Sequence, residues 1–417
     1  MYRTTDRSAV GEVYPDGVAD VNPTGAAAQR RLLYGVAVLL SALAAGGLAC
    51  APNRAGMMVQ ADQAFYPVGV CYGVESVPST DRNRLDRRID ADLATIRRMG
   101  LNTVFFRHID PKDFATVAAA ARRHQLKIVL PDRPAQNHVM TGVPESHRGP
   151  PSWLRNEASP VTRALWAVDL GRAVDPASAE RLERVAASYR LIPSPLPTFA
   201  RTVGPVPESV AFPASASGHG ESPPAPADDR PSGRPMMILR CHHEPGESPA
   251  DAVRRWLWEF HAALAWGLTG GLVIDQYCTI PGRGSALAGP DGNVGVERIN
   301  AVKRMADRMW RWGPMLDRLD LKSYAAPASA GAGDTLVITV FARDRRRLLL
   351  VFNPSRSEYL RTTLTLDEVV AGVPATRLVE VPGDSKLSLG AVHEARRGRI
   401  TLPVNIAPGD ARLFEVF

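Results

Sequence analysis

The sequence predicts an α/β chain: a (β/α) barrel, abbreviated or irregular in its middle, followed by a C-terminal antiparallel β-sandwich. Short apolar runs alternate with amphipathic stripes from Tyr66 to Asp132 and again from Pro235 to Trp312, the pattern of a parallel sheet covered by helices. Beyond Asp334 the apolar period falls to two and turn residues recur, as in a small sandwich. Ionisable residues directly follow several of the apolar runs, where parallel α/β folds carry their chemistry.

The chain has 417 residues, 45% of them hydrophobic, enough for a large core. Its domains divide as a disordered tail over 1–31, a signal peptide or membrane anchor over 32–51 and a linker over 52–64. The barrel then covers 65–322, with a disordered insertion near 193–235, and the sandwich covers 323–417. The formal charge of +7 rests on scattered arginines such as Arg97-Arg98 and Arg345 to Arg347. No lysine-rich tract or aromatic platform accompanies them, which argues against a nucleic-acid partner. The four cysteines, Cys50, Cys71, Cys241 and Cys278, lack metal-type spacing and are too few for a disulfide scaffold.

Arg30-Arg31 precede an unbroken apolar and small-residue run from Leu32 to Ala51. Positive charge before such a run is the mark of an export signal or a spanning helix, and ~20 residues suffice to cross a bilayer. Ala44 to Ala49 resembles a processing region, and Ala49-Cys50 raises lipid attachment at Cys50, although Gly47 stands where a lipobox usually has Leu. A buried helix is the plainer alternative. Exported, membrane-anchored or periplasmic placement is the expectation.

Tyr66 to Cys71 reads as the first buried strand. Leu85, Ile89, Leu93 and Ile96 then fall at helical spacing, and Gly100 is placed to stop that helix. Thr103 to Phe106 forms the second strand, followed by Arg107 and His108. A helix capped at Asp110 buries Phe114, Val117 and Ala121. Lys127 to Leu130 is the third strand, ending at Asp132. After a long loop come the apolar segment Ala164 to Leu170 and a helix over Pro176 to Arg190. Pro193 to Pro235 is rich in Pro, Ser, Gly and Ala and reads as flexible. Met236 to Leu239 is a strand that runs into Cys241-His242-His243-Glu244-Pro245-Gly246. A helix from Ser248 to Trp266 follows, with a capping-box-like start, and then a strand over Gly271 to Ile274 that ends at Asp275. The last barrel helix spans Glu297 to Trp312 and is broken by Gly313-Pro314. Six strands follow, over Thr335–Phe341, Arg347–Phe352, Tyr359–Leu366, Thr376–Val381, Arg399–Leu402 and Ala411–Phe417.

The stretches "ADLATIRRMGLNTVFFR" and "AAAARRHQLKIVLPDRP" resemble the opening of the (β/α)8 retaining glycoside hydrolases. "GPPSWLRNEASP" is similar to the loop after the third strand in the β-galactosidases of family 42, and "MMILRCHHEPG" to the seventh strand of that clan. The resemblance implies retaining cleavage of β-glycosidic bonds in an oligo- or polysaccharide, with no cofactor and Glu244 as the nucleophile. It also calls for a fourth strand ending in Asn-Glu. The only Asn-Glu pair here is Asn156-Glu157, with Pro150, Pro151, Ser152 and Trp153 before it instead of a strand. Glu157 or Asp132 is then the partner carboxylate. Arg107, His108, His242 and Asp275 line the pocket, and Trp153 and Tyr277 supply aromatic faces. A metal held by His242, His243 and Glu244 is disfavoured, because consecutive residues point different ways. Three functions remain open: an exported or anchored glycosidase, a degenerate relative that binds carbohydrate without cleaving it, and a surface scaffold with no sugar ligand.

Overall fold

The computed structural model describes residues 65–73, 82–107, 113–131, 160–173, 176–190, 197–202, 212–216, 235–241, 246–278, 286–289, 293–325, 336–367, 376–383, 390–395 and 399–417. Eight parallel strands form a ring: β1 (Val68–Gly73), β2 (Thr103–Arg107), β3 (Lys127–Pro131), β4 (Leu165–Ala173), β5 (Thr198–Thr202), β6 (Phe212–Ala216), β7 (Met236–Leu239) and β8 (Leu272–Ile274). Each pairs with the next, and β8 returns to β1 through Val68↔Leu272 and Val70↔Ile274. The expected abbreviated barrel is corrected here, because β5 and β6 lie inside the Pro193–Pro235 stretch that composition assigns to a flexible insertion. Pro213 and the small residues of β6 hide the strand locally, yet its neighbours on both sides supply ladder partners. Irregularity does occur in the ladders: the registers shift between Ile128 and Val129 and between Asp169 and Arg172.

Alternation along each strand divides two cores. Val70, Tyr72, Val104, Phe106, Ile128, Leu130, Met237, Leu239 and Ile274 belong to the large core that the outer helices share. Cys71, Phe105, Val129, Ala167, Met236, Ile238 and Val273 fill the barrel interior. The register shift at the β3–β4 ladder pairs Val129 with Ala167 and skips Trp166, a bulge that sends two consecutive residues to the interior cluster. Phe65 packs on Trp166 with ring centroids 5.0 Å apart.

The described helices are α1 (Arg82–Arg98), α2 (Phe114–Arg123), α3 (Pro160–Ala164), α4 (Pro176–Arg190), α5 (Pro249–Ala265) and α6 (Val296–Leu316). The α1 stripe is buried at Ile89, Leu93 and Ile96, and Gly100 and Gly267 take positive φ where their spacing predicts helix ends. Ser248 caps α5 by accepting from the Asp251 N–H at 3.1 Å. The expected break at Gly313-Pro314 does not occur. Pro314 lies inside α6, where the burial of Trp312 and Leu316 offsets the hydrogen bond that proline removes.

Beyond α6, a six-stranded sheet has the order β14-β13-β16-β11-β10-β9, and a two-stranded sheet joins β12 to β15. These strands are β9 (Asp320–Ala325), β10 (Val337–Arg343), β11 (Arg346–Phe352), β12 (Leu360–Asp367), β13 (Arg377–Val381), β14 (Val392–Glu394), β15 (Arg399–Ile406) and β16 (Ala411–Val416). The predicted boundary at 322/323 falls inside β9, which pairs with β10 and therefore belongs to the C-terminal sheet. One face of the larger sheet (Ile338, Val340, Leu349, Val351, Phe414) meets Ile400, Leu402, Val404 and Ile406 of β15. Its other face (Val337, Phe341, Leu348, Leu350, Leu413) joins the core shared with the barrel helices. Burial on both faces explains why β10 and β11 read as nearly continuous apolar runs.

Candidate functional site

One step beyond the filled interior, the alternation sets Arg107 on β2, Pro131 on β3, Asp169 on β4, Arg240 after β7 and Asp275 after β8 at the C-terminal mouth. The inward position between Arg107 and Asp275 is Gly73 on β1, the Cα partner of Arg107. With no side chain there, Arg107 reaches across β1 and donates from Nη2 to Asp275 Oδ1 at 2.9 Å. Arg107 is 15% exposed at its side chain and Asp275 33%, so the pair borders solvent without being fully solvated. Burial opposes the Arg107 charge, but Cys71, Asp275 and Asp169 outweigh it and hold the guanidinium above its usual range. The backbone supports the same place: Asp275 N–H donates to the Leu239 carbonyl at 2.8 Å.

Asp169 is a site residue that sequence reasoning missed. It is buried at 8% exposure, one residue after Val168 in an otherwise apolar run. A carboxylate in a buried strand is costly unless charge partners it, and that conflict within Leu165 to Leu170 was the available signal.

Glu247, just before α5, is held from that helix. Arg255 grips Glu247 with two bonds, Nε at 2.9 Å and Nη2 at 3.0 Å, and Nη1 reaches the buried Glu259 at 3.2 Å. Cys241 lies beside this cluster, and burial, with Glu259, pushes its thiol well up. Cys71, Cys241 and Cys278 are buried and form no disulfide among the described residues.

Tyr277 does not serve as a sugar platform. Its ring is 0% exposed and tilts against Tyr72 at 5.7 Å, behind the sheet and towards α1. The Tyr277 hydroxyl faces Asp92 at 3.5 Å, while Tyr72 donates to the same carboxylate at 2.8 Å and Arg88 at 3.0 Å. Tyr277 follows β8 by three residues, and its N–H donates to the Cys71 carbonyl at 2.9 Å, which turns the chain outward. Burial raises the Asp92 carboxyl above its ordinary value against the pull of Tyr72 and Arg88. Of the sequence-predicted pocket residues, Arg107 and Asp275 are brought together. Glu244, Glu157, His108, Asp132, Trp153 and His242 lie outside the described residues, as do residues 32–51 and Cys50. Among the described residues no helix is long and apolar enough to cross a membrane, and no three metal-ligating side chains converge.

No protein-family model matches the chain, and no curated protein does either. Solved structures do. A variant of AmyP in complex with maltotriose superposes with a TM-score of 0.53 at 13% identity, over 84% of this chain and 97% of that one. AmyP in complex with maltose gives 0.50 at 12% identity, over 84% and 96%. A glycoside hydrolase family 5 protein from Bacteroides vulgatus gives 0.50 at 11% identity, over 84% and 89%. The chain therefore has a glycoside hydrolase fold, and nothing in these likenesses singles out the family 42 type.

Proposed function

We propose that this chain takes a saccharide at the C-terminal mouth of its barrel and cleaves it as a retaining β-glycosidase, with Glu244 as the nucleophile. The observation that supports this most is the gathering of Arg107, Asp169 and Asp275 at the C-terminal mouth of the barrel, the end that β7 reaches five residues before Glu244 in the sequence. Retention needs a second carboxylate about 5–5.5 Å from the first, acting as acid and then base. Asp169, inside β4 and facing the mouth, is a candidate in addition to the Glu157 and Asp132 named by the sequence. Turnover of a panel of aryl glycosides by the wild-type chain and by Glu244→Gln tests this. The variant is expected to lose roughly 10³-fold or more, and unchanged turnover would remove Glu244 from the chemistry.

The Arg107–Asp275 ion pair favours a second reading, a pseudo-glycosidase that binds carbohydrate without cleaving it. A carboxylate fixed by a guanidinium orients sugar hydroxyls well but is poorly placed to donate a proton. Saccharide binding in calorimetry with no release of any aryl leaving group would select this reading. In both, residues 32–51 direct export or tether the chain, through a retained helix or a lipid on Cys50. Recovery of the full-length chain in the cytosolic fraction would exclude that placement.

A further inference from the structure

Two arginines stand at the described strand ends. Arg107 ends β2 and Arg240 follows β7. The carboxylates set at the same mouth are Asp169, inside β4, and Asp275, after β8. Arg107 is the member whose surroundings point to a ligand. Its Nη2 is engaged by Asp275, but its Nε is buried and has no hydrogen-bond partner among the described residues. Buried N–H groups are nearly always matched. The edge formed by Nε and Nη2 is the fork that receives a carboxylate in the bidentate manner. Asp275 holds only one tine of it and leaves the other for an incoming oxygen.

We propose that the saccharide taken at this mouth is acidic, a uronate-containing glycan whose carboxylate is read by Arg107, with the Arg240 charge at the same mouth. The inference rests on the reading that the mouth takes a saccharide, and it names the class of that saccharide. A bridge that merely joined β2 to β8 would leave acidic and neutral sugars bound alike. A lysine in place of Arg107 would keep the charge and lose the fork.

Calorimetry on the full chain tests this with a panel of α- and β-linked uronate oligosaccharides and the same panel after carboxyl reduction. At least one acidic member is expected to bind about 10-fold or more tightly than its reduced counterpart. Arg107→Lys is expected to remove roughly 10-fold of the acidic affinity while leaving the reduced sugar unchanged. The exposed Arg240→Gln, which spares the Arg107–Asp275 pair, is expected to weaken the acidic ligand by about 2- to 5-fold. Equal affinity for the acidic and reduced forms overturns the proposal while the saccharide reading stands. Absence of binding by either panel overturns both. If Arg107→Lys fails to fold, the wild-type comparison still decides.

Discussion

His261 on α5 donates its Nδ1 proton to the carbonyl of Gly409, 2.7 Å away, across the joint between the barrel helices and the C-terminal sheets. A carbonyl only accepts, so Nδ1 carries the hydrogen. Nε2 then accepts from Arg308, which also donates to Asp410, and Arg304 reaches the other Asp410 oxygen at 2.7 Å. His261 is 0% exposed. Burial, reinforced by Arg308, pushes it down to about 3. Burial would raise the Asp410 carboxyl, but His261 and Arg308 more than reverse that and hold it below the carboxylate range.

This joint makes stability depend on pH. His261 titrates near 6.5 once unfolded but near 3 in the folded chain, so the unfolded state binds more protons between those values. The stability from keeping it neutral is complete above pH 6.5 and is lost as pH falls through that window. Between pH 7.5 and pH 5 the loss from this one group is about 2 kcal/mol. Asp410 acts in the same sense at lower pH. Urea midpoints at the two pH values in wild type and His261→Gln should show a shallower dependence in the variant. Parallel curves would mean that other groups set the slope.

Trp258 holds the same joint by packing. Its Nε1 donates to the Pro354 carbonyl at 2.7 Å, Phe352 lies 6.1 Å away ring to ring, and the Arg356 guanidinium covers its face at 4.5 Å. Trp258→Ala is expected to cost about 3–5 kcal/mol, and Arg356→Ala about 0.5–1 kcal/mol, in chemical denaturation. A tryptophan variant as stable as wild type would show that the sheets dock without this contact.

Tyr277 separates stability from binding. Tyr277→Ala should cost about 3–5 kcal/mol by opening a cavity behind β1. Tyr277→Phe keeps the ring and should leave saccharide affinity unchanged. A loss of affinity in Tyr277→Phe, with the melt intact, would return this residue to the ligand.

Gly313 is a packing position inside α6. A Cβ there would overlap the Tyr66 hydroxyl, which donates to the Thr269 carbonyl in the loop before β8. Gly313→Ala should therefore destabilise by roughly 1–3 kcal/mol, although alanine is the better helix former. A more stable alanine variant in thermal melts would refute the close approach.

The sequence by itself determined the elements whose signal is local. The stripe at Ile89, Leu93 and Ile96, the Ser248 cap and the runs in β2, β3, β7 and β8 are set by the apolar period within each element, and all stand in the structure. The Pro/Ser/Gly/Ala stretch carries no such period, so β5 and β6 become strands only because β4 and β7 offer them ladder partners. The same holds for function. Sequence could name Arg107, Asp275 and Tyr277 as pocket candidates from their places after apolar runs. Only the tertiary structure decided that the first two meet across Gly73 while the third turns behind the sheet to Asp92. Which face a residue takes beyond a strand end depends on where the chain turns, and backbone bonds between distant strands fix that turn.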